Sequence, residues 1–265
     1  MYHEIRIAIV EDDPYARDLM ALLMWRDWRT RVVAEAGRPE AIRPVLREEN
    51  PDLILLGADA PDRVRRLAEV LQAAPEAKVQ VLCVATRPDR TTLEHCLAAR
   101  FEGYLCRSEI AYALVWAVSL AGTGQWVTTP SVLGLVDPFP VESIVIKDLP
   151  GFPGLTTQEA ETARLGILFN LPRRSLAHEK AKTPDTIYEY VSRAYEKLAM
   201  LDLLDAGLTV DDFFADRPDL LKYFRPDLEY IWGMARTHRG KRRLSEKETL
   251  AFHLLTIPEI VFASE

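Results

Sequence analysis

Five short apolar runs in the first 106 residues each give way to a stretch with helical periodicity, and this alternation constrains the fold more than any other feature. The runs are 5–10 (Ile-Arg-Ile-Ala-Ile-Val), 32–36, 51–56 (Pro-Asp-Leu-Ile-Leu-Leu), 78–84 and 103–106. Helices are predicted over 14–25, 39–49, 62–73, 89–100 and 110–121. In the first of these Ala16, Leu19, Met20, Leu22 and Leu23 recur at helical spacing, behind a proline suited to a first turn. The run 51–56 is apolar on both faces, as a strand covered by helices on two sides must be. Such alternation specifies an α/β architecture: a doubly wound, five-stranded parallel sheet that binds ligands at the carboxyl ends of its strands. Those ends carry Glu11, Asp12 and Asp13, then Gly57, then Ala85 and Thr86, then Arg107.

The order Ile-Val-Glu-Asp-Asp-Pro, then Pro-Asp-Leu-Ile-Leu-Leu with Pro61 beyond it, then Gly-Tyr-Leu-x-Arg resembles the receiver domains of bacterial response regulators, a flavodoxin-like fold. Residues 121–130 resemble the exit of a receiver of the LuxR/NarL subgroup. The resemblance implies a carboxylate at the end of the third strand that accepts a phosphoryl group. It also implies a Mg²⁺ held by the acidic pair, with a lysine and a hydroxyl residue binding the transferred group. Such chemistry is positioning and charge neutralisation.

Carried onto this chain, the acidic pair is Glu11 and Asp12, but the acceptor slot is Gly57, which has no oxygen to phosphorylate or to ligate a metal. Pro61, four residues further on, fixes that register. Arg107 takes the place of the lysine, keeping the charge and changing its geometry. Counting back from Gly103 puts Ala85 in the hydroxyl slot; a one-residue gap makes it Thr86. Asp59 and Asp62 stand as alternative acceptors, and two carboxylates without a third make a poor Mg²⁺ site. The expectation is a receiver-like domain with no metal and no cofactor, kept for interaction. By resemblance, two copies pair through a face around residues 90–120.

In the second half, Leu155-Thr-Thr-Gln-Glu opens a helix with Thr156 or Thr157 as its cap. A second helix is predicted over 173–179, and a third from Thr183 to about Ala199. Ile187, Val191, Ala194 and Leu198 place one apolar stripe of that third helix inward. These motifs resemble the LuxR-type DNA-binding domain, whose third helix enters the major groove. That implies promoter DNA as partner, contacted by Tyr188, Glu189, Ser192 and Arg193. Glu189 puts negative charge where phosphates or base edges would lie. Lys180 replaces an apolar residue and Ala181 the turn glycine, so the turn is expected to depart from the family geometry.

The chain then runs on through an aromatic-rich stretch holding Phe213, Phe214, Tyr223 and Phe224, with helix starts at Thr209, Arg217 and Ser245. Arg236, Arg239, Lys241, Arg242 and Arg243 form its densest basic run, a second candidate for phosphate contact. The expected layout is a receiver-like domain at 1–130, a Pro/Gly-rich linker at 131–154, a helix-turn-helix domain at 155–205 and a helical extension at 206–265. Within the linker, Ser143-Ile-Val-Ile reads as a short strand or a docking segment.

A chain of 265 residues suffices for two domains with cores of their own. The net charge of −7 argues against a generic nucleic-acid binder, and the segment 155–200 is the one that is not acidic. Cys83, Cys96 and Cys106 lack metal-ligand spacing and suit a reducing cytoplasm. The five histidines are scattered and no phosphate-cradling or nucleophile motif occurs, so an enzyme is not expected. Nor is a membrane partner, since no apolar run is long enough to span a bilayer. Two readings follow: a phosphorylation-independent transcriptional regulator, dimeric and DNA-binding, or an adaptor that binds another regulator or the transcription machinery.

Overall fold

Strands that are apolar on both faces need cover on both sides, and the helices between them supply it. The computed structural model describes residues 3–149, 154–168, 173–198, 209–237 and 250–261. The first elements are β1 (Ile5–Val10), α1 (Pro14–Trp25), β2 (Thr30–Ala36), α2 (Ile42–Glu48) and β3 (Leu53–Gly57). They are followed by α3 (Pro61–Gln72), β4 (Gln80–Ala85), α4 (Arg90–Ala98), β5 (Gly103–Cys106) and α5 (Leu114–Ala121). Every residue of β3 is buried, and β1 is buried from Ile7 onward. The strands pair in parallel, as the alternation predicts, in the order β2-β1-β3-β4-β5.

The sheet does not stop at five strands. β6 (Trp126–Thr128) and β7 (Ser143–Asp148) extend it in parallel beyond β5, and β8 (Pro258–Val261) closes it antiparallel to β7. Among the described residues the sheet therefore has eight strands. A Cβ at Gly103 would collide with the Val127 carbonyl, so glycine there is what allows β6 to lie against β5.

The segment expected as a linker thus carries α6 (Pro130–Leu133) and β7. The described prolines in and next to this segment do not break the structure because of where they fall. Pro130 opens α6, where a missing donor costs nothing, Pro138 and Pro140 lie in the connection before β7, and β7 contains none.

The chain divides into two compact units, one of residues 1–148 with 258–265, the other of 149–257. The last residues of the expected helical extension therefore belong to the first unit, as a strand. Glu259 faces Lys147 at 3.4 Å and Ile260 pairs with Ile146, both of these isoleucines being buried. That in-out alternation is a strand pattern too short to stand out beside the helices before it.

The second unit holds α7 (Thr157–Leu168), α8 (Arg173–Glu179) and α9 (Pro184–Lys197), then α10 (Val210–Phe213), α11 (Pro218–Thr237) and helical residues 250–255. Thr156 caps α7 through a reciprocal pair: Glu159 N–H donates to its hydroxyl and its own N–H donates to the Glu159 carboxylate. The turn between α8 and α9 closes as a Schellman motif, with Lys182 N–H on the Ala177 carbonyl and Ala181 N–H on that of His178. Ala181 takes the left-handed conformation, φ +49°, that this motif requires. The backbone geometry that a glycine would serve survives its replacement, so the turn is not altered as expected. Lys180 reaches Glu161 of α7 at 2.6 Å, which gives its charge a partner at the normally apolar position.

The described residues of the extension before 258 pack as part of this second unit. Phe213, Phe214 and Trp232 form an aromatic cluster with centroids 5.0–6.0 Å apart. The buried Arg164 of α7 donates to the carbonyl of Leu255 at 3.3 Å. The helix start expected at Ser245 lies outside the described residues.

Candidate functional site

At the carboxyl end of β1 three acids leave the sheet in different directions. Asp13 turns back to cap α1, accepting from the N–H groups of Tyr15 and Ala16. Glu11 is 2% exposed, and its Oε2 lies 2.6 Å from Nη2 of Arg107, which follows β5. Asp12 points outward and its Oδ1 meets Nη1 of Arg63 at 3.0 Å.

The Glu11 carboxylate lies directly over Gly57. A Cβ built on that glycine falls 2.6 Å from the Glu11 Cδ and closer still to an oxygen, well inside contact distance. The place a carboxylate at position 57 would use is filled by the carboxylate of Glu11, and an arginine holds it there.

Arg63, on the first turn of α3, has no counterpart in the sequence reading. Its Nε donates to the Gly57 carbonyl at 2.7 Å and its Nη2 to the Val10 carbonyl at 3.3 Å, while Nη1 pairs with Asp12. One guanidinium therefore gathers two strand-end carbonyls and an acidic side chain. Asp59 is likewise engaged: it accepts from the backbone N–H of Thr86 at 2.6 Å and from its hydroxyl at 3.3 Å, and stands 3.6 Å from Arg107. Ala85 is fully buried and its methyl offers no hydroxyl; the hydroxyl that reaches Asp59 is that of Thr86.

Burial pushes the Glu11 carboxyl above its ordinary range, and a hydrogen bond shared with Asp12 adds to this, against the pull of the Asp13 N–H and Arg107. Asp12 is held below its range by the same shared hydrogen bond and by the charge of Arg63.

The receiver resemblance implies a divalent cation here, and the residues present do not fit one. Position 57 contributes no side chain and the buried Glu11 is paired with Arg107, so Asp12 is left as a single exposed carboxylate, too few oxygens for a divalent cation. Among the described residues no group of three acidic, histidine or cysteine side chains is arranged to hold a metal. What the arrangement can do is fix the ends of β1, β3 and β5 to one another through charge.

In the second unit, α9 exposes Asp185, Tyr188, Glu189, Ser192, Arg193, Glu196 and Lys197. Arg193 pairs with Glu189 at 3.3 Å on this same face, and Lys197 is drawn to the buried Glu159 at 2.7 Å. The face that would meet DNA is thus acidic, with its outward arginine partly neutralised. Tyr190 packs inward with Ile187, Leu176 and Ala177 and is not part of that face. Arg236 lies in the last turn of α11, whereas Arg239, Lys241, Arg242 and Arg243 lie outside the described residues.

Of the face expected to pair two copies, α5 is buried at seven of its eight residues and β5 is hydrogen-bonded to β6. Arg90 and Glu94 of α4 remain exposed there. No described helix is long and apolar enough to cross a membrane.

A receiver-like α/β unit joined to a unit carrying a helix-turn-helix is the architecture of LuxR/NarL-type response regulators. No family model matches the chain. Its curated relatives are nevertheless of that type. It is 24% identical over 200 residues, 75% of this chain and 90% of the other, to the "Probable transcriptional regulatory protein NarL" of Mycobacterium tuberculosis. It is 27% identical over 132 residues to the transcriptional regulatory protein DegU of Brevibacillus brevis, covering 49% of this chain and 55% of that protein. Among solved structures, the RcsB response regulator of Salmonella typhimurium aligns over 75% of this chain and 93% of its own, with 17% identity and a TM-score of 0.45.

Proposed function

We propose that this chain is a transcriptional regulator of the LuxR/NarL response-regulator type whose receiver-like unit operates without phosphotransfer. It would act in the cytoplasm, as a dimer, on promoter DNA, and it catalyses no reaction of its own. The observation that carries the loss of phosphotransfer is the Glu11 carboxylate, lodged over Gly57 and paired with Arg107. A phosphoryl group arriving there would meet no nucleophilic oxygen of residue 57 and a carboxylate already committed to a guanidinium. The test is incubation of the full chain with acetyl phosphate and Mg²⁺, read by intact mass. No phosphoryl adduct is expected; an adduct mapping to Asp59 or Asp62 would overturn the reading.

The acidic outer face of α9 supports a second reading, an adaptor whose helix-turn-helix binds a protein. A mobility-shift assay on the gene's own upstream region, with salt titrated, separates the two. A retarded complex that weakens steeply with salt is the signature of a DNA-binding regulator. Charge reversal at Arg242 and Arg243 should then weaken binding at every sequence. Absence of any complex at low salt selects the adaptor.

A further inference from the structure

The sheet order places β1 between β2 and β3, so the chain reverses its winding at β1. In open α/β sheets the crevice outside the strand ends at such a switch point is where ligands bind. Here that crevice is an open cleft of about 870 Å³, formed by the loops that follow β1, β2 and β3. Its volume lies within the range of small-molecule sites. Three arginines line it, Arg38, Arg63 and Arg66, together with the acids Asp12 and Glu40.

The three guanidiniums are not equivalent. Arg63 is 12% exposed and oriented by two backbone carbonyls, so its charge is set in a wall of low dielectric. Arg66 is tied to exposed acids, Asp62 at 2.6 Å and Glu40 at 3.7 Å. Arg38 is exposed and makes no ion pair among the described residues. Ion pairs with exposed carboxylates contribute little, so Arg66 and Arg63 can exchange an acid partner for a stronger anion at small cost. Guanidinium forks match phosphate oxygens two at a time. Asp12 and Glu40 remain as acceptors for hydroxyl or amino donors on the same molecule.

We infer that this cleft binds a small phosphate ester of about mononucleotide size, its phosphate held by Arg38, Arg63 and Arg66 and its hydroxyl or amino groups by Asp12 and Glu40. The site is separate from the covalent chemistry lost at Gly57. Acetyl phosphate labelling reads that loss, whereas ligand titration reads Arg38, so either result can fail without the other.

The experiment titrates the full chain with a panel of nucleoside monophosphates and sugar phosphates, with inorganic phosphate and sulfate alongside, and follows thermal stability and calorimetric heat. Ligand binding to the folded state raises the unfolding midpoint. The expected result is saturable binding of at least one phosphate ester, weakened about tenfold or more by Arg38→Ala and again by Arg66→Ala. Arg38 is exposed, so its removal leaves the fold intact, which an unchanged midpoint without ligand verifies. If no ester binds, the inference is overturned. It is equally overturned if sulfate matches the best ester, or if Arg38→Ala binds as tightly as the parent.

Discussion

At position 57 the side chain that is missing and the one that has moved in are two parts of one arrangement. Glycine leaves room for the Glu11 carboxylate, and Arg107 holds that carboxylate against the glycine Cα. Any Cβ at 57 must push Glu11 off Arg107, so Gly57→Ala should cost about 1–3 kcal/mol in chemical denaturation, in the range of overpacking. Combined with Glu11→Ala, the same substitution should be nearly silent, giving a coupling above about 1 kcal/mol in the double-mutant cycle. Additive effects would show that the carboxylate does not occupy the space. Ala181 is the opposite case, a Cβ where glycine fits better. At φ +49° it carries left-handed strain, and Ala181→Gly should stabilise the second unit by about 0.5–1 kcal/mol, net of the added freedom of the unfolded chain. Gly57 and Arg107 were legible because a proline and a strand end fix their register. Arg63 was not, since its role depends on carbonyls 6 and 53 residues away that only the folded sheet brings together.

Among the elements, α7 shows how a start signal becomes a joint. Glu159 closes the capping pair with Thr156 and also takes Lys197 from α9 at 2.7 Å, which ties the first helix of the unit to the third. Lys197 and the Thr156 N–H hold the Glu159 carboxyl down to about 2, below its ordinary 4.5. A carboxyl with a depressed folded-state value stabilises fully above the unfolded value and loses that contribution as pH falls toward the folded one. The midpoint difference between the parent and Glu159→Gln should therefore be constant above about pH 5 and shrink between about pH 4.5 and 2. A difference that persists unchanged at the acid end would mean the charge is not what matters. The cap was readable from Thr156 and Glu159 at a spacing of three. β6 was missed, and β7 was read from Ser143 only as a short strand or a docking segment inside a linker, because proline density in the segment outweighed its short apolar runs.

For the molecule as a whole, the decisive feature is that the chain returns. It leaves the first unit at Asp148 and re-enters at Pro258, and these two residues are register partners across β7 and β8. The unit carrying the helix-turn-helix is thus an insertion between neighbouring strands, with both its ends pinned in one sheet, rather than a domain hung on a single proline-rich linker. The two ends of the inserted segment leave adjacent strands, and that closure depends on β8 staying docked. β8 is held by four backbone pairings, by Lys147–Glu259 at the surface and by Ile260 against the buried Ile146. Ile260→Asp puts an unpartnered carboxylate into that contact, which the short strand cannot sustain. Amide exchange on β7, from Val145 to Asp148, should then accelerate by about a hundredfold or more, because local opening of an edge strand precedes global unfolding. The amides of β1 and β3, paired among the five parallel strands β2-β1-β3-β4-β5, should keep their protection. If β7 exchanges at the parental rate in that variant, β8 is not what closes the sheet.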